Sequence, residues 1–173
     1  KFNLEGSETD YTQLEYCKSN YKFAKFYFDD ITKKPKNKFK NYADVLCAIG
    51  VNQIFDDQKK IIKNEISRLK KGGTLIISGI LNSEKVDLLT RYKLIKNKNF
   101  TKENYTRGWN IFSIHSTILI LKSYGLKKIR YKKISFPKSL KVPKNIKDPI
   151  RSHTYLRGKN VEFKNILPIR QEN

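Results

Sequence analysis

The chain has 173 residues, 38% of them hydrophobic and 12% aromatic, spread along the whole length. That suits one ordinary core in a single domain over 1–173, and it excludes a disordered polymer even though 31% of the residues are charged. A formal net charge of +21 would suit a polyanion, but lysine is interleaved everywhere with Asn, Ile and Tyr, so nucleic acid is a possible partner and not the favoured one.

Phe2 and Leu4 alternate with Asn3 and Glu5 before Gly6, a short strand and turn, and Thr12 to Lys18 follows as a helix with Leu14, Tyr16 and Cys17 as its apolar residues. Phe23 to Phe28 predicts a second strand, closed by Asp29 and Asp30, and Lys33 to Lys40 reads as a polar loop. Ala43 to Ile49 is an apolar run broken only by Asp44, the pattern of a strand buried on both faces of a parallel sheet. Asp56 and Asp57 can cap the next helix, in which Ile62, Ile66 and Leu69 share a face, Lys70 and Lys71 occupy the last turn and Gly72-Gly73 lies beyond.

Thr74 to Ile80 reads as another strand, and Ser83 to Tyr92 as a helix carrying Leu88 and Leu89. After a polar stretch from Lys96 to Arg107, Phe112 to Tyr124 predicts a helix with Ile114, Ile118 and Leu121 on one face and Gly125 as its stop. Leu126 to Phe136 alternates as a strand, Pro137 to Asn160 reads as a long loop, and Val161 to Ile169 closes the chain as an antiparallel strand. The expected fold is therefore α/β: a Rossmann-like, mostly parallel sheet with an antiparallel last strand and helices on both faces.

No apolar run approaches the roughly 20 residues that span a bilayer. Cys17 and Cys47 belong to no CxxC or Cys/His array, which predicts reduced thiols in a cytoplasmic protein. Asp, Glu and His do not recur at ligand spacing, so no metal site is expected. The sequence contains no Met, which predicts that residues lie upstream of Lys1.

From Gly6-Ser7-Glu8-Thr9-Asp10, through Asp29-Asp30-Ile31 and Ala48-Ile49-Gly50-Val51-Asn52, to Leu69-Lys70-Lys71-Gly72-Gly73-Thr74, the order of motifs resembles class I S-adenosylmethionine-dependent methyltransferases from their second strand onward. The resemblance covers nearly the whole chain. It implies S-adenosylmethionine as cofactor, with Glu8 beside Thr9 taking the ribose hydroxyls, Asp30 accepting from the adenine amino group and Ile31 packing on the ring. Asp29 competes with Asp30 for that role, since a one-residue shift exchanges them. Ala48 and Gly50 would line the place where methyl donor and acceptor meet, next to Asn52.

The family's glycine-rich loop after its first strand has no counterpart here, and no GxGxG occurs. Either that loop lies upstream of Lys1 or the chain is an inactive, methyltransferase-like binding subunit. Phe112-Ser113 and Tyr124-Gly125-Leu126 resemble the corresponding part of small-molecule methyltransferases, which implies transfer to a hydroxyl of a sugar or metabolite. Ser78-Gly79-Ile80-Leu81 is similar to a segment of ribosomal-protein methyltransferases, so RNA or a ribosomal protein is the alternative acceptor. A hydroxyl acceptor would use a base, and His115 and His153 are the only histidines. Tyr105 and Trp109 could stack on an acceptor ring, and Arg151 and His153 stand in a polar cluster of the long loop, where binding residues concentrate. Each also has an ordinary reading, as packing or as an exposed loop residue.

Overall fold

The structure, a computed structural model, describes residues 3–92, 106–133, 153–157 and 160–164. These fall into two compact units, one within Lys1–Leu89 and Asn110–Leu126, the other within Thr90–Trp109 and Lys127–Asn173.

The first unit opens with β1 (Glu5–Glu8), α1 (Tyr11–Asn20) and β2 (Lys25–Phe28), the two strands pairing in parallel with Glu8 opposite Phe28. Asp10 caps α1 by accepting from the Thr12 and Gln13 amides, two of the donors a helix start leaves without partners. Leu14 is the one residue α1 buries. Phe28 stacks on Tyr11 with ring centroids 4.6 Å apart, fixing the helix over the end of β2.

A second strand-helix-strand follows: β3 (Ala43–Ile49), α2 (Gln58–Ile66) and β4 (Leu69–Ser78), again parallel. The Asp57 carboxylate caps α2 through the Lys60 amide. The helix ends at Ile66, short of the predicted Lys70-Lys71 turn, because the Arg68 carbonyl is taken by the amides of Tyr42 and Ala43 and Leu69 already pairs with Ala43. Gly72 adopts a left-handed φ of 82° where the ladder shifts register, a conformation glycine takes without penalty.

The remaining elements of this unit are β5 (Leu81–Asn82), paired in parallel with β8 (Phe112–Ser113), and α3 (Ile114–Ser123). The Ser113 hydroxyl caps α3 by accepting from the Ser116 amide, and Gly125 follows the helix with a φ of 81°. Ser113→Ala is expected to lower stability by about 1 kcal/mol, read as a lower urea midpoint at unchanged slope.

In the second unit β6 (Arg91–Tyr92) pairs antiparallel with β7 (Thr106–Arg107), and β9 (His153–Arg157) with β10 (Asn160–Lys164).

This architecture corrects the expected one. Among the described residues there are three helices and five separate two-stranded ladders, and no continuous Rossmann-like sheet flanked by helices on both faces. The apolar run of β3 is not buried on both sides: Ala48 is inside, whereas Val45 is 56% and Ile49 73% exposed, on the face that also carries Cys47 and Ile76. The predicted helix over Ser83 to Tyr92 does not form. Leu88 there makes an antiparallel bridge to Ile111, and Asp87 accepts from the Ser113 amide and the Ser116 hydroxyl, an extended arrangement that serves the start of α3. No strand runs over Leu126–Lys133, and 134–136 lie outside the described residues. Of the predicted closing strand Val161 to Ile169, the part in β10 is antiparallel, with β9 as its partner, inside the segment predicted as a loop; 165–169 lie outside the described residues.

Candidate functional site

The carboxyl ends of the paired strands β1 and β2 each carry a carboxylate, Glu8 and Asp30. Glu8 ends β1, and its carbonyl accepts from the Asp29 amide at 3.3 Å, so Asp29 and Asp30 begin where Glu8 stops. Glu8 Oε1 accepts from the amides of Thr9 at 2.6 Å and Asp10 at 3.0 Å and from the Thr9 hydroxyl at 3.4 Å. Asp30 is built alike: its Oδ1 accepts from the Thr32 amide at 2.9 Å and the Thr32 hydroxyl at 2.7 Å. In both, one oxygen is fixed by the adjoining turn, and the other keeps acceptor capacity. Glu8 Oε2 has no hydrogen bond to the described residues, and Asp30 Oδ2 meets the exposed Lys33 ammonium at 3.6 Å.

The Thr32 hydroxyl holds the Asp30 carboxyl below its ordinary range, its amide and the Lys33 charge acting in the same direction against partial burial. Asp30 is therefore anionic at neutral pH.

Asp29 has a different task. Its Oδ2 accepts from Arg68 Nε at 2.8 Å, with side chains 9% and 7% exposed respectively. The same guanidinium donates to the carbonyls of Asn64, Asp30 and Lys33, so Arg68 ties the end of α2 to the turn that carries Asp30. Asn64 adds a bond to the Ile31 carbonyl at 2.8 Å. The two aspartates differ in burial and partners: Asp29 is ion-paired with Arg68 at 9% exposure, whereas Asp30, next to half-buried Ile31, is 26% exposed and its carboxylate meets only the exposed Lys33 among the cations of the described residues.

At the end of β3, Ala48 is buried and Gly50, at a φ of 69°, donates to the Ser78 carbonyl at 2.7 Å. Asn52 points inward, its amide donating to Glu65 on α2 at 3.3 Å. Gln53 is also buried. Its side chain lies against Gly79, where an added Cβ would fall 1.7 Å from Gln53 Nε2. Any larger residue at position 79 displaces that amide.

His115 is exposed on the first turn of α3 and makes no hydrogen bond to the described residues, so no carboxylate orients it there. Trp109 belongs to the second unit and is 43% exposed. The backbone of His153 pairs with Lys164 in the β9–β10 ladder of that unit. Tyr105 and Arg151 lie outside the described residues. Among the described residues no three of His, Cys, Asp or Glu gather as a metal ion would require. No helix among them is long and apolar enough to cross a membrane.

Sequence reading missed Arg68, Glu65, Gln58 and Asn64, all buried. A signal was available: Gln58 and Glu65 stand seven apart, as do Ile61 and Arg68, so polar residues recur within the apolar stripe of α2. The chain matches no protein-family model and no curated protein sequence.

Proposed function

We propose that the first unit binds S-adenosylmethionine at the carboxyl ends of β1 and β2, and that the protein transfers its methyl group to a small-molecule acceptor, a sugar or metabolite hydroxyl, in the cytoplasm. The observation that carries the reading is the pair of carboxylates, Glu8 and Asp30, each locked by its own turn through one oxygen and keeping acceptor capacity on the other. The donor set fits an adenosine group. Vicinal ribose hydroxyls are donors that a carboxylate takes as a pair, and an exocyclic amine is a donor for a second carboxylate. None of this depends on a continuous sheet, because both groups sit on one local strand-helix-strand.

The chain's own contribution is positional. Thr9, Asp10 and Thr32 hold the two carboxylates before a ligand arrives, so little ordering is left to be done on binding. Arg68 fixes the Asp30 turn from behind. The bound cofactor supplies an activated methyl group on a sulfonium. Transfer then needs chiefly alignment, and for a hydroxyl acceptor His115, the histidine of the same unit, would receive the proton. The free thiols Cys17 and Cys47 fit a reducing compartment.

Glu8→Ala is expected to weaken S-adenosylmethionine binding by about 1.5 to 3 kcal/mol, roughly 10- to 150-fold, with Asp30→Ala acting in the same direction and Lys122→Ala, on exposed α3 surface, without effect. Calorimetry on the folded variants measures this. Equal affinities for all three variants and the parent would refute the assignment.

A further inference from the structure

We propose that Glu65 is a carboxylic acid in the folded protein and closes a cyclic acid–amide pair with Asn52, a proton-dependent clasp that holds the turn after β3 onto α2. The two side chains lie on different elements and are both out of water, Asn52 at 2% and Glu65 at 0% exposure. Asn52 Nδ2 already donates to Glu65 Oε2 at 3.3 Å. The other oxygen of each group, Asn52 Oδ1 and Glu65 Oε1, is buried without a hydrogen-bond partner. An ionised Glu65 would leave two acceptors with nothing to accept. A single proton on Oε1 turns that oxygen into a donor for Oδ1, and the same proton then satisfies both orphans. The carboxylic acid and the primary amide are joined by two bonds instead of one.

The surrounding charges leave this count unchanged. Arg68, beyond the end of α2, has its donors engaged by Asp29 and three carbonyls. Lys59, Lys60 and Lys63 of α2 are exposed, as are His115 and Lys122 of α3. On the strands, Lys70 is held by Asp44, Lys71 is exposed, and Asp57 faces solvent at the helix cap. Among the described residues no cation forms a salt bridge with Glu65, and the Arg68 charge acts on it only as a smaller, opposing influence. Burial, the largest influence, pushes the Glu65 carboxyl up to about 7, against smaller opposing effects of the Asn52 bond and the Arg68 charge.

The clasp has a consequence for its neighbourhood. The turn it holds, Asn52–Ile54, also carries Gln53, whose side-chain amide donates to the Ile80 carbonyl and whose backbone carbonyl accepts from the Asn110 backbone amide. Loss of the proton strands a charge between α2 and this turn, so the exits of β3 and β4 loosen together above neutral pH.

The test is a carbon-detected magnetic-resonance titration of the full chain labelled at glutamate side-chain carboxyls, with the Asn52 side-chain amide followed in parallel. One glutamate signal is expected to remain in the carboxylic-acid position at pH 6 and to move with a midpoint near 7, and the Asn52 amide protons should shift with the same midpoint. Glu65→Gln, which keeps a donor for Asn52 Oδ1, removes that signal and holds the Asn52 amide at its low-pH position throughout. All glutamates titrating together near the ordinary value would overturn the proposal, as would a high-midpoint signal that the Asn52 amide does not follow. The titration of the parent chain alone decides between these if the variant does not fold.

Discussion

Arg68→Ala is expected to cost about 3 to 5 kcal/mol of stability, the range for breaking a buried ion pair from one side. The substitution leaves Asp29 as an uncompensated charge at 9% side-chain exposure and takes the donor from the carbonyls of Asn64, Asp30 and Lys33 at one stroke. With a typical domain stability of about 5 to 15 kcal/mol, the variant should lose a large part of its folded population at 37 °C. Arg68→Lys should fall between, because a single ammonium cannot reproduce a planar fork that reaches a carboxylate and three carbonyls. Denaturant unfolding of the three proteins checks the order, and equal midpoints for Arg68→Ala and the parent would show that the guanidinium is not the tie described. If the proposed S-adenosylmethionine site is right, the same variant should also weaken binding there, because Arg68 holds the backbone of Asp30 itself.

The second large effect is a pH dependence with an unusual sign. A folded-state value of about 7 for Glu65, against an ordinary value of 4.5, means that the native protein holds this proton more tightly than the unfolded chain does. The stabilisation is fully present below pH 4.5, falls as pH rises through 7 and is then gone. Over that interval the change is on the order of 3 kcal/mol. The informative quantity is the difference between Glu65→Gln and the parent, which isolates this one group. It should grow in favour of the variant by about that amount between pH 4.5 and 8. A difference that stays level with pH would show that Glu65 is already ionised in the native state.

Local signals in this sequence proved legible where one residue determines one geometry. The Ala43–Ile49 strand, the Asp57 cap, the Gly125 stop and the helix within Phe112 to Tyr124 all form. What failed was extrapolation from elements to assembly. An apolar run such as Val45-Leu46-Cys47-Ala48-Ile49 fits a strand buried on both faces, yet burial is decided by what else packs there, and here one face of β3 remains in solvent. The Ser83 to Tyr92 stretch shows the reverse: Leu88 and Tyr92 stand at helical spacing, but the backbone is drawn into a bridge with Ile111, and Asp87 serves Ser113. Tertiary partners outweighed a weak local preference.

The candidate site divides in the same way. Acidic residues after short strands could be read in order, and Glu8 and Asp30 stand where those strands end. Which aspartate is available could not be read, because it depends on Arg68, 39 positions further along the chain. Nor could the inward turn of Asn52 be read, since Glu65 reaches it from a different element.

The central claim is that the turns after β1 and β2 hold an adenosine cofactor, and amide chemical-shift mapping with S-adenosylhomocysteine tests it most directly. The amides of Thr9, Asp10 and Thr32 report on the two carboxylates because they donate to them. Saturable shifts centred on these three amides, with Lys122 to Leu126 at the end of α3 undisturbed, are the predicted result. An absence of shifts in the folded protein at millimolar ligand, or shifts that leave Thr9 and Thr32 in place, would contradict it.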